Sequence, residues 1–270
     1  MFVVWLLLQA TTYASFKIPS DSMTPALLPG DNILVNKWVM GGRVFDFWEA
    51  VEGKDTEIYR LPGVSKAKRN DVLVFNYPYP EKGDSITMDM RIYHVKRCIA
   101  LPGDTLEIRG GYYRIRGTDE EVGYRPAQKR ISELINPKLQ GVVMDAYPWD
   151  KHLGWTIQEF GPLPIPASGQ TVRMDSTAVK LYRKLMVWEQ KKPVRREGNA
   201  VYLGDSLIRE YTFRENYYFM GGDLMENSRD SRYWGLLPGR FIVGKATRIW
   251  KSVDRQTGEW RKERIFKEIE

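Results

Sequence analysis

The chain has 270 residues, one cysteine and two histidines. An internal disulfide is therefore excluded, and a Cys/His zinc site would need nearly the whole supply, without ligand spacing among His94, Cys98 and His152. Hydrophobic residues make up 43% and aromatics 13%, enough for a sizeable core and against a disordered chain, while 41 basic against 34 acidic side chains leave a formal +7 that fits nucleic acid, an anionic membrane surface or nothing specific.

In chain order the first feature is apolar. Phe2 to Leu8 is unbroken, and the first 16 residues carry no charge before Lys17. As a helix they would span about 24 Å, short of the roughly 20 residues that a bilayer core needs. A basic flank at the start is missing. Three readings stay open on composition: a secretory signal cleaved near Ala14, a core helix or strand, and the last part of a membrane anchor.

Turn signals then divide the chain. Leu-Pro-Gly occurs four times, at Leu28–Gly30, Leu61–Gly63, Leu101–Gly103 and Leu237–Gly239. Proline presets φ at the second turn position, and glycine permits positive φ at the third. Between these turns, Asn32–Val39, Asp71–Tyr77, Arg91–Leu101, Thr105–Ile108, Val201–Leu203, Tyr217–Met220 and Phe241–Trp250 read as strands. Val179–Glu189 reads as a helix and Arg130–Ile135 as a weaker one. No βαβ alternation appears, so a mostly β protein with an antiparallel sheet is expected. Residues 110–204 are the least regular and read as an α+β subdomain inserted into a core of 16–109 and 205–250. Trp38–Lys68 reads as a smaller insertion, and 251–270 as a charged C-terminal tail.

Three segments carry candidate chemistry. In Phe16–Pro25, Ser20 and Ser22 lie two apart between Pro19 and Pro25, which suppress helix and favour a rigid, extended presentation. In Arg91–Asp104, strand alternation puts Ile92, His94, Lys96, Cys98 and Ala100 on one face. Lys96 in that apolar stripe is either an edge lysine with its amine in water or a desolvated one. Desolvation disfavours the ammonium, and moving its pKa from about 10.4 to about 8 costs roughly 3 kcal/mol. In Gly221–Gly235 a dense polar loop holds Ser228, Asp230 and Arg232, without EF-hand spacing.

Taken in this order, the three segments resemble the bacterial type I signal peptidase family. Ile18–Leu27 looks like its serine box, Arg69–Phe75 like its short strand box, His94–Asp104 like its lysine box, and Gly222–Gly235 with Gly244–Ala246 like its last box. The likeness covers about half the chain in blocks and misses residues 110–204.

The resemblance implies a signal-peptidase-type core with an N-terminal membrane-anchor segment, here a partial one over residues 1–15. Ser22 matches the nucleophile and Lys96 the general base. Ser20 matches the side chain that helps bind the oxyanion, and Ser228 the hydroxyl that orients the lysine. Asp230 and Arg232 match a structural ion pair behind the site. Ile18, Met23, Leu27 and Val95 fall where the family lines its substrate pockets. His94, although two residues from Lys96, reads as a strand residue near the pocket, and Cys98 as packing beside the Ser/Lys pair.

The expected activity is that of a membrane-bound serine endopeptidase. It cuts signal peptides from exported preproteins after small residues at −3 and −1, and works on the extracytoplasmic side of the inner membrane. No cofactor and no metal are implied. The implied partners are signal peptides and membrane lipid, and not nucleic acid. A self-cleaving regulator with the same pair is disfavoured by the apolar start. An inactive membrane-bound binder is disfavoured by the complete set Ser22, Lys96 and Ser228. One departure stands out: where the family's last box begins Gly-Asp-Asn-Arg, Asp223 is followed here by Leu224 and Met225, which puts the packing of this loop in question.

Overall fold

The computed structural model describes residues 12–52, 57–79, 85–135 and 140–270. Seven strands form its main antiparallel sheet: β1 (Tyr13–Lys17), β2 (Asp31–Asn36), β3 (Val72–Asn76), β4 (Tyr93–Ala100), β5 (Tyr217–Gly221), β6 (Leu237–Pro238) and β7 (Ile242–Ser252). Their order across the sheet is β1-β2-β7-β3-β4-β5-β6.

The sheet is covered on both faces, and alternation along the strands sorts the side chains between two cores. Val72 and Val74 of β3 join Ile33, Val35, Val243 and Ile249 in a small core that also takes Ile18, Met23 and Leu27. Leu73 and Phe75 face the other way, with Cys98, Ala100 and Phe219, into a larger core shared with the inserted part. All of β3 is therefore buried, which is why Val-Leu-Val-Phe reads as a continuous apolar run instead of an alternating one.

The start of the chain differs from expectation. Tyr13–Lys17 is an edge strand paired to β2, Tyr13 opposite Asn36 and Lys17 opposite Asn32. The expected anchor ending at residue 15 thus overlaps a sheet strand. Its remainder, residues 1–11, lies outside the described residues. Among the described residues, no helix is long and apolar enough to cross a membrane. Strand β2 stops at Asn36, three residues short of the expected Val39. There the Trp38 N–H donates to Asn36 Oδ1 at 2.9 Å, an Asx turn that leads the backbone off the sheet.

The inserted part builds its own small sheets. Thr105–Arg109 pairs with Tyr112–Ile115 and with Phe160–Pro164. Val194–Glu197, Ala200–Leu203 and Ser206–Ile208 form a meander, and Thr171–Arg173 pairs with Glu210–Thr212. The expected boundaries at 109/110 and 204/205 each fall in the turn of a hairpin, so Thr105–Arg109 and Ser206–Thr212 pair outside the main sheet.

The two helices expected there both extend further toward the N-terminus. α1 runs over Arg125–Ser132, with Pro126 in its first turn, and ends before Ile135. α2 runs over Ser176–Gln190. Asp175 caps it by accepting the Ala178 N–H at 2.8 Å, and Lys191 ends it in the left-handed region at φ 52°.

The charged tail is part of the fold. The N–H groups of Phe266 and Ile269 donate to the carbonyls of Ile249 and Thr247, on the edge of β7 that β3 covers only as far as Lys245. Arg264 donates to both oxygens of the fully buried Asp31, which pins the tail under the start of β2.

Candidate active site

The chain leaves β1 at Ile18 and returns to β2 at Asp31. The Ile18 N–H donates to Asp31 O at 2.8 Å, and the Gly30 N–H donates back to Ile18 O at 3.0 Å, so residues 19–29 form a closed loop at the end of the sheet. Inside it the Thr24 N–H bonds to Asp21 O and the Leu27 N–H to Met23 O, while Ile18, Met23 and Leu27 plug the loop into the smaller core. Ser22 is thereby held in a fixed place, only 9% exposed.

Lys96 lies on β4 opposite Leu73 of β3. Its Nζ is 2.6 Å from Ser22 Oγ and 3.1 Å from Val95 O. The residue is 5% exposed. Burial pushes its pKa down to about 8, against the upward pull of the carboxylates of Asp230 and Asp223. A substantial share of neutral amine therefore stands within hydrogen-bond reach of a serine hydroxyl at neutral pH, as proton removal by a lysine requires. Ser20 Oγ is 3.4 Å from Ser22 Oγ. His94 takes no part in this contact: it stacks on Tyr77 at 4.4 Å, and burial pushes its pKa down to about 4, so it is neutral.

The polar loop after β5 closes over the serine turn from the other side. The Leu224 N–H donates to Ser22 O at 3.1 Å, and Asn227 Nδ2 donates to both oxygens of Asp21 at 3.0 and 3.1 Å. Gly222 makes this approach possible. A Cβ there would lie 2.1 Å from Ser228 Oγ and 2.7 Å from Ser22 O, so only hydrogen fits between the two serines. Ser228 is buried next to Asp230, close enough to help hold that carboxyl down, yet its hydroxyl makes no full hydrogen bond among the described residues.

Behind them, Arg232 donates from Nε and Nη2 to the two Asp230 oxygens at 2.8 Å each, and neither side chain has any exposed surface. Asp230 also accepts the Gly222 N–H at 2.8 Å. Burial alone would raise the Asp230 pKa, but Arg232 holds it below the usual carboxylate value.

A buried lysine thus stands on a serine, backed by a serine, an aspartate and an arginine. The family pattern described as "Signal peptidase, peptidase S26" matches residues 1–251. The chain belongs to that family. It is accordingly a serine peptidase, a hydrolase. Signal peptidase I of Pseudomonas aeruginosa is 30% identical over 262 residues, covering 93% of this chain and 69% of that protein. Signal peptidase I of Buchnera aphidicola from Acyrthosiphon pisum is 28% identical over 269 residues, covering 96% and 75%. That of Aquifex aeolicus is 29% identical over 243 residues, covering 88% and 75%.

Against the family's pattern, the departure at Leu224–Met225 is accommodated. The Leu224 N–H serves Ser22 as described, Met225 is buried, and its carbonyl accepts from Arg232 Nη2 at 2.8 Å. Of the four expected pocket residues in this peptidase, Val95 is partly buried against the smaller core, with Ile18 and Met23 almost wholly inside it. Leu27 is 0% exposed and backs the site from within instead of lining an open pocket.

Several contacts were missed by the sequence reading: Gly222 as the spacer, the Asp21–Asn227 clasp, and Arg97. Arg97 donates to both oxygens of Asp223 at 2.8 and 2.6 Å and to Asn70 O at 2.8 Å, tying the polar loop to β4. The Gly-Gly-Asp run at 221–223 was the available signal, since paired glycines before a carboxylate indicate close backbone approach.

Proposed function

We propose that this peptidase removes signal peptides from exported preproteins through an acyl-enzyme on Ser22, with Lys96 as the general base. Neutral Lys96 takes the Ser22 hydroxyl proton as Oγ attacks the scissile carbonyl carbon. The oxyanion forms against the Ser22 backbone N–H, which has no acceptor among the described residues, and the Ser20 hydroxyl. Each such donor is worth about 2.7–4 kcal/mol in related chemistry. Collapse breaks the carbon–nitrogen bond, and the Lys96 ammonium returns its proton to the leaving amine, the new N-terminus of the mature protein. Lys96 then deprotonates a water that attacks the ester, the carbon–oxygen bond to Ser22 breaks as the Lys96 ammonium returns that proton to Ser22 Oγ, and the signal peptide leaves as a carboxylic acid that ionises in water. Ser228 positions Lys96, and the Asp230–Arg232 pair supports the loop that carries it. The small residues at −3 and −1 pack over Ile18, Met23 and Val95.

The observation that carries this reading is the 2.6 Å contact between Ser22 Oγ and a lysine that is 5% exposed. A membrane setting on the extracytoplasmic side is supported by the apolar first residues, which feed through β1 directly into the serine loop. Exposed Tyr13 at the start of β1, Trp250, which donates to Ser15 Oγ, and Tyr93, which packs on Phe16, lie along this edge strand and add to this support. The test is cleavage of a preprotein by detergent-solubilised enzyme. Ser22→Ala and Lys96→Met should each abolish it, and retained cleavage in either overturns the mechanism.

A further inference from the structure

A cleft of about 480 Å³ opens beside Ser228, and the chemistry above makes no use of it. Its walls come from separate parts of the chain: Tyr77 just past β3, Trp149 from the inserted part, and Tyr233 and Trp234 from a short helix, α3 (Ser231–Trp234). Arg229 also lines it, exposed and without an ion pair among the described residues, while the lining carboxylate, Glu226, is held by Arg130.

Trp149 sets this cleft apart from an ordinary surface hollow. Its backbone lies at φ 66°, the left-handed region, which costs an L-residue with a bulky side chain about 1–2 kcal/mol. The indole N–H donates to Tyr233 O at 2.7 Å, and the ring lies 6.1 Å from the Tyr233 ring at a shallow 31°. For all this ordering, the side chain remains 51% exposed. Burial therefore explains little of its placement. Strained residues held in this way cluster at ligand clamps.

The position of the cleft indicates what it holds. Along β4, Val95 faces the side of Ile18 and Met23, while His94 and Lys96 face the opposite side, and His94 stacks on the cleft residue Tyr77. The Ser22–Lys96 contact lies between these two sides, and Ser228 belongs both to the site and to the cleft wall. With the acyl half of a substrate over Ile18 and Val95, as proposed above, the side of Ser22 left for its amine half is the one that holds Ser228 and the cleft.

We propose that the cleft binds the polypeptide immediately after the scissile bond. It takes an aromatic or large aliphatic side chain against Trp149 and an acidic side chain beside Arg229. This rests on the assignment of Ser22 as nucleophile, and makes the start of the mature protein a determinant of cleavage.

The test uses the full chain in detergent and preprotein substrates that differ only in the first three residues after the cleavage point. Phenylalanine in place of glycine there should raise kcat/KM roughly fivefold in the wild type, the scale of one aromatic contact. Trp149→Ala should bring that ratio close to one, and Trp149→Phe should restore most of it. Arg229→Glu, a change at an exposed side chain that leaves folding intact, should invert the preference for aspartate over lysine. Ratios that are the same in wild type, Trp149→Ala and Arg229→Glu overturn the proposal. A Ser22→Ala control separates the two readings. Cleavage that persists in it overturns the nucleophile assignment. Cleavage that depends on Ser22 with unaltered ratios overturns the cleft alone.

Discussion

Burial moves Lys96 from the ordinary lysine value of 10.5 down to about 8, and the rate of cleavage should record that shift. The reactive form is the uncharged amine, so protonation removes activity and the limb lies on the acid side. Cleavage should rise about tenfold per pH unit below pH 8 and level off above it. At pH 7 about a tenth of Lys96 is neutral, against about 0.03% for an unshifted lysine, a gain of roughly 300-fold or about 3 kcal/mol. His94 adds no limb in this range, because burial and the Lys96 charge push it down to about 4. The assay is kcat/KM for a preprotein from about pH 5.5 to about pH 9.5, with single-turnover acylation measured in parallel so that product release does not mask the limb. A flat profile, or a midpoint near the ordinary lysine value, refutes the reasoning.

The same burial has a cost in stability. Between pH 8 and 10.5 the unfolded chain holds more protons than the folded one, so stability rises with pH through that window and the penalty is fully present below it. Lys96→Met should therefore abolish cleavage yet stabilise the fold at pH 7, by up to about 3 kcal/mol in denaturant titration; a loss of stability would contradict the desolvation argument. Gly222→Ala would place a methyl 2.1 Å from Ser228 Oγ and 2.7 Å from Ser22 O. It should lower kcat about a hundredfold or more by displacing the serine turn, and near-normal kinetics would show that the loop gives way easily. Arg232→Met would leave Asp230 buried and unpaired, at a cost of about 3–5 kcal/mol at neutral pH. Since Arg232 holds the Asp230 pKa below its ordinary value, that deficit should narrow as pH falls into the carboxylate range, which unfolding curves at neutral and acid pH would reveal.

What could be read in advance follows the strength of the local signal. β3 was legible because a strand buried on both faces needs an unbroken apolar run, and Val72–Asn76 supplies one. β1 was not, because an edge strand with alternating partial exposure has little apolar pattern of its own, and it follows directly on the uncharged first residues. Ser206–Ile208 and Glu210–Thr212 have three residues each, too few for any period to show. Their pairing is set by the turns at Gly204 and Arg209 and by contact with distant segments. The placement of Lys96 within an apolar stripe was readable from strand alternation. The identity of its partner was not, since Ser22 and Lys96 are 74 positions apart, and only the resemblance joined them.

Electrostatics inside the site explain why so much of it surrounds the two reacting side chains. A lysine acts as a base at neutral pH only while desolvation outweighs the carboxylates near it, and Asp230, Asp223 and Asp21 all pull Lys96 back toward its charged form. Two of the three are neutralised by bidentate arginine contacts, Asp230 by Arg232 and Asp223 by Arg97. The third shares its carboxylate with the Asn227 amide. The carboxylates are needed for position: Asp230 fixes Gly222, and Asp21 holds Asn227. Each brings a charge that would spoil the base if left uncompensated. The partners therefore let the polar loop close tightly over Ser22 while the net field at Lys96 remains weak enough for burial to prevail.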